Sequence, residues 1–228
     1  MKDNLNAPPL NPLPMVVWLL ALPIIAMEAV LNLGARGILG GAQGVGWRID
    51  ALQKFAFAPD LMRDMIATGQ YPWAGLARLI TYSLVHGNFT HVAFVVVILL
   101  ALGKMVGEVF RWWAVLAVFF GAAAVGAFVY AMIPDVKVAL IGGYPAVYGL
   151  IGAFTFLLWV NLAAVGANKF RAFTMIGFLL AFQLVFGVIF GGGWAWVADI
   201  AGFATGFFLS FVVSPGGWEK VRDKMRQR

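Results

Sequence analysis

Six stretches of this chain are apolar almost without interruption. They run roughly from Met15 to Leu33, Ile80 to Gly103, Trp112 to Ile133, Gly143 to Val165, Phe173 to Phe190 and Trp194 to Val213. Each holds about 18–24 residues, enough for a helix to cross about 30 Å of hydrocarbon with some tilt. The breaks carry turn chemistry: Pro134-Asp135, Gly166 to Lys169, Gly191 to Gly193, and Ser214-Pro215-Gly216-Gly217. The pattern predicts an all-α polytopic membrane protein. A six-span domain over residues 15–213 would sit between an N-terminal tail, 1–14, and a C-terminal tail, 214–228.

The connection from about Gly34 to Ala77 is too long for a plain link in so compact a domain. It has helical punctuation. Pro59 suits a first helical position and Gly69 a C-terminal cap, and Leu61, Met62, Met65 and Ile66 recur on one face. Trp47, Ile49, Leu52 and Phe55 form a second apolar stripe. Helices lying at the outer interface fit this pattern, and so does a loop packed on top of the bundle.

Composition agrees with the membrane reading: 62% of the 228 residues are hydrophobic and 11% charged, against about 45–50% and about 25% in soluble domains. There is no cysteine, which excludes disulfides, thiolate metal sites and a cysteine nucleophile. Much of the net charge of +6 lies in the tail, at Lys220, Arg222, Lys224, Arg226 and Arg228. A basic tail after the last span implies a cytoplasmic anchor on anionic lipid, not nucleic-acid binding. Lys104, Arg111, Lys169 and Arg171 fall on the same side, so both termini are expected in the cytoplasm. A bacterial inner membrane suits so compact a chain. The first stretch does not read as a cleavable signal, because Ala7 to Pro12 before it is Pro-rich and lacks a basic cluster.

Few polar side chains enter the apolar stretches. His86 and His91 are the only histidines, both at the outer half of the second. Tyr144 and Tyr148 open the fourth. Asp199 lies about five residues into the sixth, about 7–8 Å along the axis, with no cation in its own helix. An ionisable group there must be paired, neutralised or wetted, and is a functional-site candidate by default. The expected orientation puts all three groups in the outer leaflet, as a polar cavity.

These segments resemble the rhomboid family of intramembrane serine proteases. His86 and His91 resemble its His-x4-His pattern, with Arg78 eight residues earlier (Ala77-Arg78 where the family has Trp-Arg). Ala198-Asp199-Ile-Ala-Gly202-Phe-Ala-Thr-Gly206 resembles Ala-His-x2-Gly-x3-Gly. Gly143-Tyr144-Pro145-Ala146 followed by Val147-Tyr148-Gly149-Leu150-Ile151-Gly152 resembles Gly-x-Ser-Gly and Val-Tyr-Gly-Leu-x-Gly. The resemblance covers nearly the whole chain and implies a six-helix rhomboid-like bundle with a long interfacial first loop. It also implies where the chemistry fails. The nucleophilic serine falls at Pro145, the general-base histidine at Asp199, and the asparagine that helps hold the oxyanion at Val95. Proline has neither hydroxyl nor backbone N–H, so attacking oxygen and one donor vanish together. A serine enzyme needs both, and a base within reach.

Substitutes are scarce. The three serines are Ser83, three residues before His86, and Ser210 and Ser214 at the far end of the sixth stretch. An aspartyl mechanism needs two carboxylates, and Glu28, the other intramembrane acid, lies on a span that the family does not turn toward the site. Two histidines and one aspartate could hold zinc with a water, but the spacing closes no ligand set and the family uses no metal, so neither metal nor cofactor is expected. Gly149 and Gly152 facing Gly202 and Gly206 read as close helix packing, and His91 reads equally as a satisfied polar bridge between helices. Glu108 reads as a cytoplasmic structural ion pair. The expectation is a pseudoprotease that retains His86, His91, Tyr144, Tyr148 and Asp199 in a cavity and binds a transmembrane segment or membrane partner within the lipid bilayer. Asp199 would hydrogen-bond Tyr144 or Tyr148, or pair with His91. Two other readings stay open: an active protease with a non-standard nucleophile, and a proton or small-ion conduit through His86, His91 and Asp199.

Overall fold

The computed structural model describes residues 12–190 and 193–216. Most of both expected tails, with Gly191 and Gly192 of the last turn, lies outside the described residues. In chain order the helices are α1 (Met15–Ala35), α2 (Gly41–Gly44), α3 (Trp47–Phe55), α4 (Pro59–Thr68), α5 (Trp73–Thr81), α6 (Phe89–Gly107), α7 (Trp112–Ala131), α8 (Tyr144–Ala164), α9 (Thr174–Phe190) and α10 (Ala195–Val213). Among the described residues no strand forms, only one isolated antiparallel bridge between Phe57 and Leu140. Five helices are long and apolar enough to cross a bilayer: α1, α6, α7, α8 and α10. The fifth expected span corresponds to α9. Its 17 residues make about 26 Å of helix, shorter than about 30 Å of hydrocarbon.

The second apolar stretch departs from expectation. It does not run as one helix from Ile80. α5 ends at Thr81, one 3-10 turn covers Tyr82–Leu84, and Val85 is extended. The membrane helix then starts at Phe89 and reaches Gly107. The cause is local. Asn88 is extended, and its side-chain oxygen accepts the backbone N–H of His91 at 2.9 Å, an N-cap of the kind asparagine favours. His91 therefore lies in the first turn of α6, while His86 lies before it.

The first loop folds into α2 to α5. Pro59 sits in the first turn of α4, and Gly69 takes the left-handed conformation (φ 67°) after its last residue, as the sequence punctuation predicts. Arginines fasten this layer to the bundle. Arg63 donates to the carbonyls of Ala131, Ile133 and Val136, around the end of α7. Arg78 donates to those of Gln53 and Ala56, tying α5 to the end of α3. Carbonyls at a helix end have no partner within the helix, and a guanidinium can serve several at once.

Much of the buried face of α7 is small, with Phe119 and Tyr130 among the small residues. α7 buries Ala114, Val115, Val118, Ala122, Ala123 and Ala127, which lets α8 and α10 pack closely on it. α10 and α8 approach nearer still. A Cβ added to Gly206 would stand 1.9 Å from the carbonyl oxygen of Gly149, and one added to Gly202 would stand 2.2 Å from that of Pro145. Both lie inside van der Waals contact, so the backbones meet with no side chain between them.

Candidate functional site

The segment 140–143 leads into α8 and sets the site. Leu140 exchanges both backbone hydrogen bonds with Phe57 (3.0 and 2.8 Å). The N–H of Gly142 donates to the carbonyl of Tyr82 at 2.9 Å, and that of Gly143 donates to Nε2 of His86 at 3.2 Å. Gly142 is left-handed (φ 88°), and a Cβ there would lie 2.3 Å from the His91 imidazole. A side chain at 142 would thus be excluded by backbone and by space together.

Three rings stack across the gap between α6 and α8. His86 meets His91 edge-on with centroids 5.0 Å apart, and His91 lies nearly parallel to Tyr144 at 4.9 Å. His86 is 1% exposed. Because its Nε2 accepts a hydrogen bond, its proton belongs on Nδ1. Burial, and then the neighbouring His91, push its pKa down to about 3, since a buried imidazole resists charging. Nε2 of His91 has no hydrogen-bond partner among the described residues.

The His91 and Tyr144 rings form one wall of a cavity of about 950 Å³. His91, Tyr144, Pro145 and Asp199 line it together, and Asp135 and Lys137 stand in its wall on the connection from α7. Asp199 is 3% exposed. Its field reaches Tyr82, Tyr144 and Tyr148. His86 and Tyr148 are buried behind the lining rather than in it. Val95 is fully buried on α6, and a Cβ on Gly143 would stand 2.8 Å from its Cγ1.

Pro145 sits within the first turn of α8, where the helix has no use for its N–H. The first intrahelical bond there, Val147 N–H to the Gly143 carbonyl, forms at 3.0 Å. Proline is therefore compatible with the helix, and it brings neither hydroxyl nor N–H to the cavity wall. Ser83 lies in the 3-10 turn ahead of α6. The 3-10 turn breaks the helical register to His86, and the Ser83 hydroxyl donates to the Ile80 carbonyl at 2.7 Å. The Ser210 hydroxyl donates to the Gly206 carbonyl. Among the described residues no group of three or more His, Cys, Asp or Glu could hold a metal.

Sequence reasoning missed Arg48. Its guanidinium grips Glu28 through two bonds, 3.0 and 2.9 Å, and donates to the His86 carbonyl at 2.8 Å. Glu28 also accepts from the Asn32 amide. Its carboxylate therefore faces the loop, not Asp199. The signal was present: an acid inside a span demands a cation, and the long loop supplies several.

Helices able to cross a bilayer, with a cavity that His91, Tyr144 and Asp199 line, define an integral membrane protein. A family model of the Rhomboid domain matches residues 74–216, and the chain belongs to the rhomboid family. No curated protein matches it.

Proposed function

We propose that this rhomboid-family protein is a pseudoprotease that binds a transmembrane segment or a membrane-protein partner in its cavity without cutting it. The observation that carries the reading is Pro145. It lines the cavity beside His91, Tyr144 and Asp199, at the position matching the family's nucleophile, and it can supply neither oxygen nor amide hydrogen to a reaction. Asp199 matches the general base, and a carboxylate there favours a hydrogen-bonded binding role over proton shuttling to an absent serine. The retained cavity and the close packing of Gly149 and Gly152 on α10 support a scaffold kept for recognition. The charge asymmetry of the connections supports cytoplasmic termini, and the compact form of the chain supports a bacterial inner membrane as its location.

Purified protein incubated with a fluorophosphonate probe and a transmembrane substrate is expected to show neither labelling nor cleavage. Labelling or cleavage abolished by one point substitution would overturn the reading. Capture of membrane partners in mild detergent is expected to fall when Asp199→Ala replaces the native chain.

A further inference from the structure

A second cavity, of about 760 Å³, opens between α1 and α6, away from the site just described. Ile25, Ala29, Val92, Ala93, Val96 and Val97 make its walls. Its polar groups gather along one edge, at Glu28, Asn32 and Arg36 of α1, spaced four apart and so on one helical face.

Their states differ. Glu28 is neutralised by Arg48. The Asn32 amide donates to the Glu28 carbonyl and carboxylate, at 3.1 and 2.5 Å, which leaves its own carbonyl oxygen as an acceptor. Arg36 is exposed and makes no ion pair or side-chain hydrogen bond among the described residues. Nor is it held by the end of its helix. The carbonyls of Asn32, Leu33 and Gly34 are taken by the backbone N–H groups of Arg36, Ile38, Leu39 and Gly37. The groove thus has an apolar body within the span and a cation with free donors at the end where the first loop begins.

We propose that this groove holds one glycerophospholipid, with its phosphate on Arg36, its headgroup donor on the Asn32 carbonyl, and an acyl chain against Val92, Val96 and Val97. A guanidinium matches phosphate oxygens with paired donors. An acyl chain fits the apolar body, and the guanidinium at its end calls for a phosphate, which an apolar partner helix does not carry. The site is independent of whether the cavity beside Pro145 is catalytic.

The test uses the full-length protein, delipidated in detergent and titrated with phosphatidylglycerol, with native mass spectrometry reading bound lipid. One lipid is expected to stay on, and diacylglycerol, which lacks the phosphate, is expected to bind at least about tenfold more weakly, the order of one charge-assisted hydrogen bond. Arg36→Gln should produce a similar loss without changing the thermal midpoint of the lipid-free protein, since Arg36 is exposed. Ala93→Leu, which fills the groove, should weaken both lipids alike. Equal retention of phosphatidylglycerol by the native protein and both variants would overturn the proposal, as would displacement of the lipid by an equimolar apolar transmembrane peptide.

Discussion

Pro145 concentrates the residue-scale argument, because helix geometry and catalysis ask different things of one position. The helix tolerates proline in its first turn, so Pro145→Ser should fold, with a change within about 1 kcal/mol. On the proposed reading, Pro145→Ser with Asp199→His restores nucleophile and base, yet Val95 still offers no donor to an oxyanion. Removing one such donor typically lowers kcat about 10²–10³-fold. Fluorophosphonate labelling is therefore expected at background in the double variant, and measurable once Val95→Asn is added. Equal labelling of double and triple variants would show that Val95 is not the missing donor. His86 gives a second prediction at this scale. Its folded pKa of about 3 lies below about 6.5 for an unfolded histidine. Between those values the unfolded chain binds the extra proton, so stability rises with pH. The His86 contribution is complete above about pH 6.5 and drains away toward pH 3, by about 1.4 kcal/mol per pH unit. Unfolding in detergent at pH 7 and pH 5 should show a larger acid loss for the native protein than for His86→Gln.

At the scale of elements, the meeting of α8 and α10 depends on what is absent. Gly206→Ala would put a methyl carbon 1.9 Å from the Gly149 carbonyl oxygen. Backbone on both sides leaves no flexible side chain to yield, so a loss of about 1–3 kcal/mol is expected by thermal unfolding in detergent. Gly121→Ala on α7 is the control, since its nearest contact would be Leu209 Cδ2 at an ordinary 3.5 Å. It should be neutral or slightly stabilising, because alanine is the better helix former. The α6 boundary teaches a related lesson about signals. Hydropathy runs on from Ile80, because Tyr82, Leu84 and Val85 are apolar, with Tyr82 and Val85 buried in protein and Leu84 partly so. Asn88 ahead of an apolar run was the better marker, since capping chemistry decides where a helix starts and hydropathy decides only what surrounds it.

For the whole molecule, the apolar helices and the loop helices were legible because each follows from composition or local punctuation, whereas the start of α6 at Phe89 was not read from hydropathy. Asp199, His91 and Tyr144 stood out as polar groups in apolar stretches. The ties between layers were not legible, because Arg48, Arg63 and Arg78 look alike in sequence and only the fold assigns their carbonyls and carboxylates. Arg48 matters most among them, since it joins α1, α3 and the segment before α6 that carries His86. Arg48→Ala would leave Glu28, 5% exposed, as an uncompensated buried charge, and a loss of about 3–5 kcal/mol is expected. Replacing both partners, Glu28→Leu with Arg48→Leu, removes charge and counter-charge together and should recover most of that loss. The residue left over should be about 0.5–1.5 kcal/mol, the worth of the bond from Arg48 to the His86 carbonyl. Thermal midpoints of the native chain, the single variants Glu28→Leu and Arg48→Leu, and the double variant form a complete cycle, with Arg48→Ala measured beside it. A double variant no more stable than Arg48→Ala would mean that Arg48 acts through its hold on His86 and the site, with Glu28 a lesser partner.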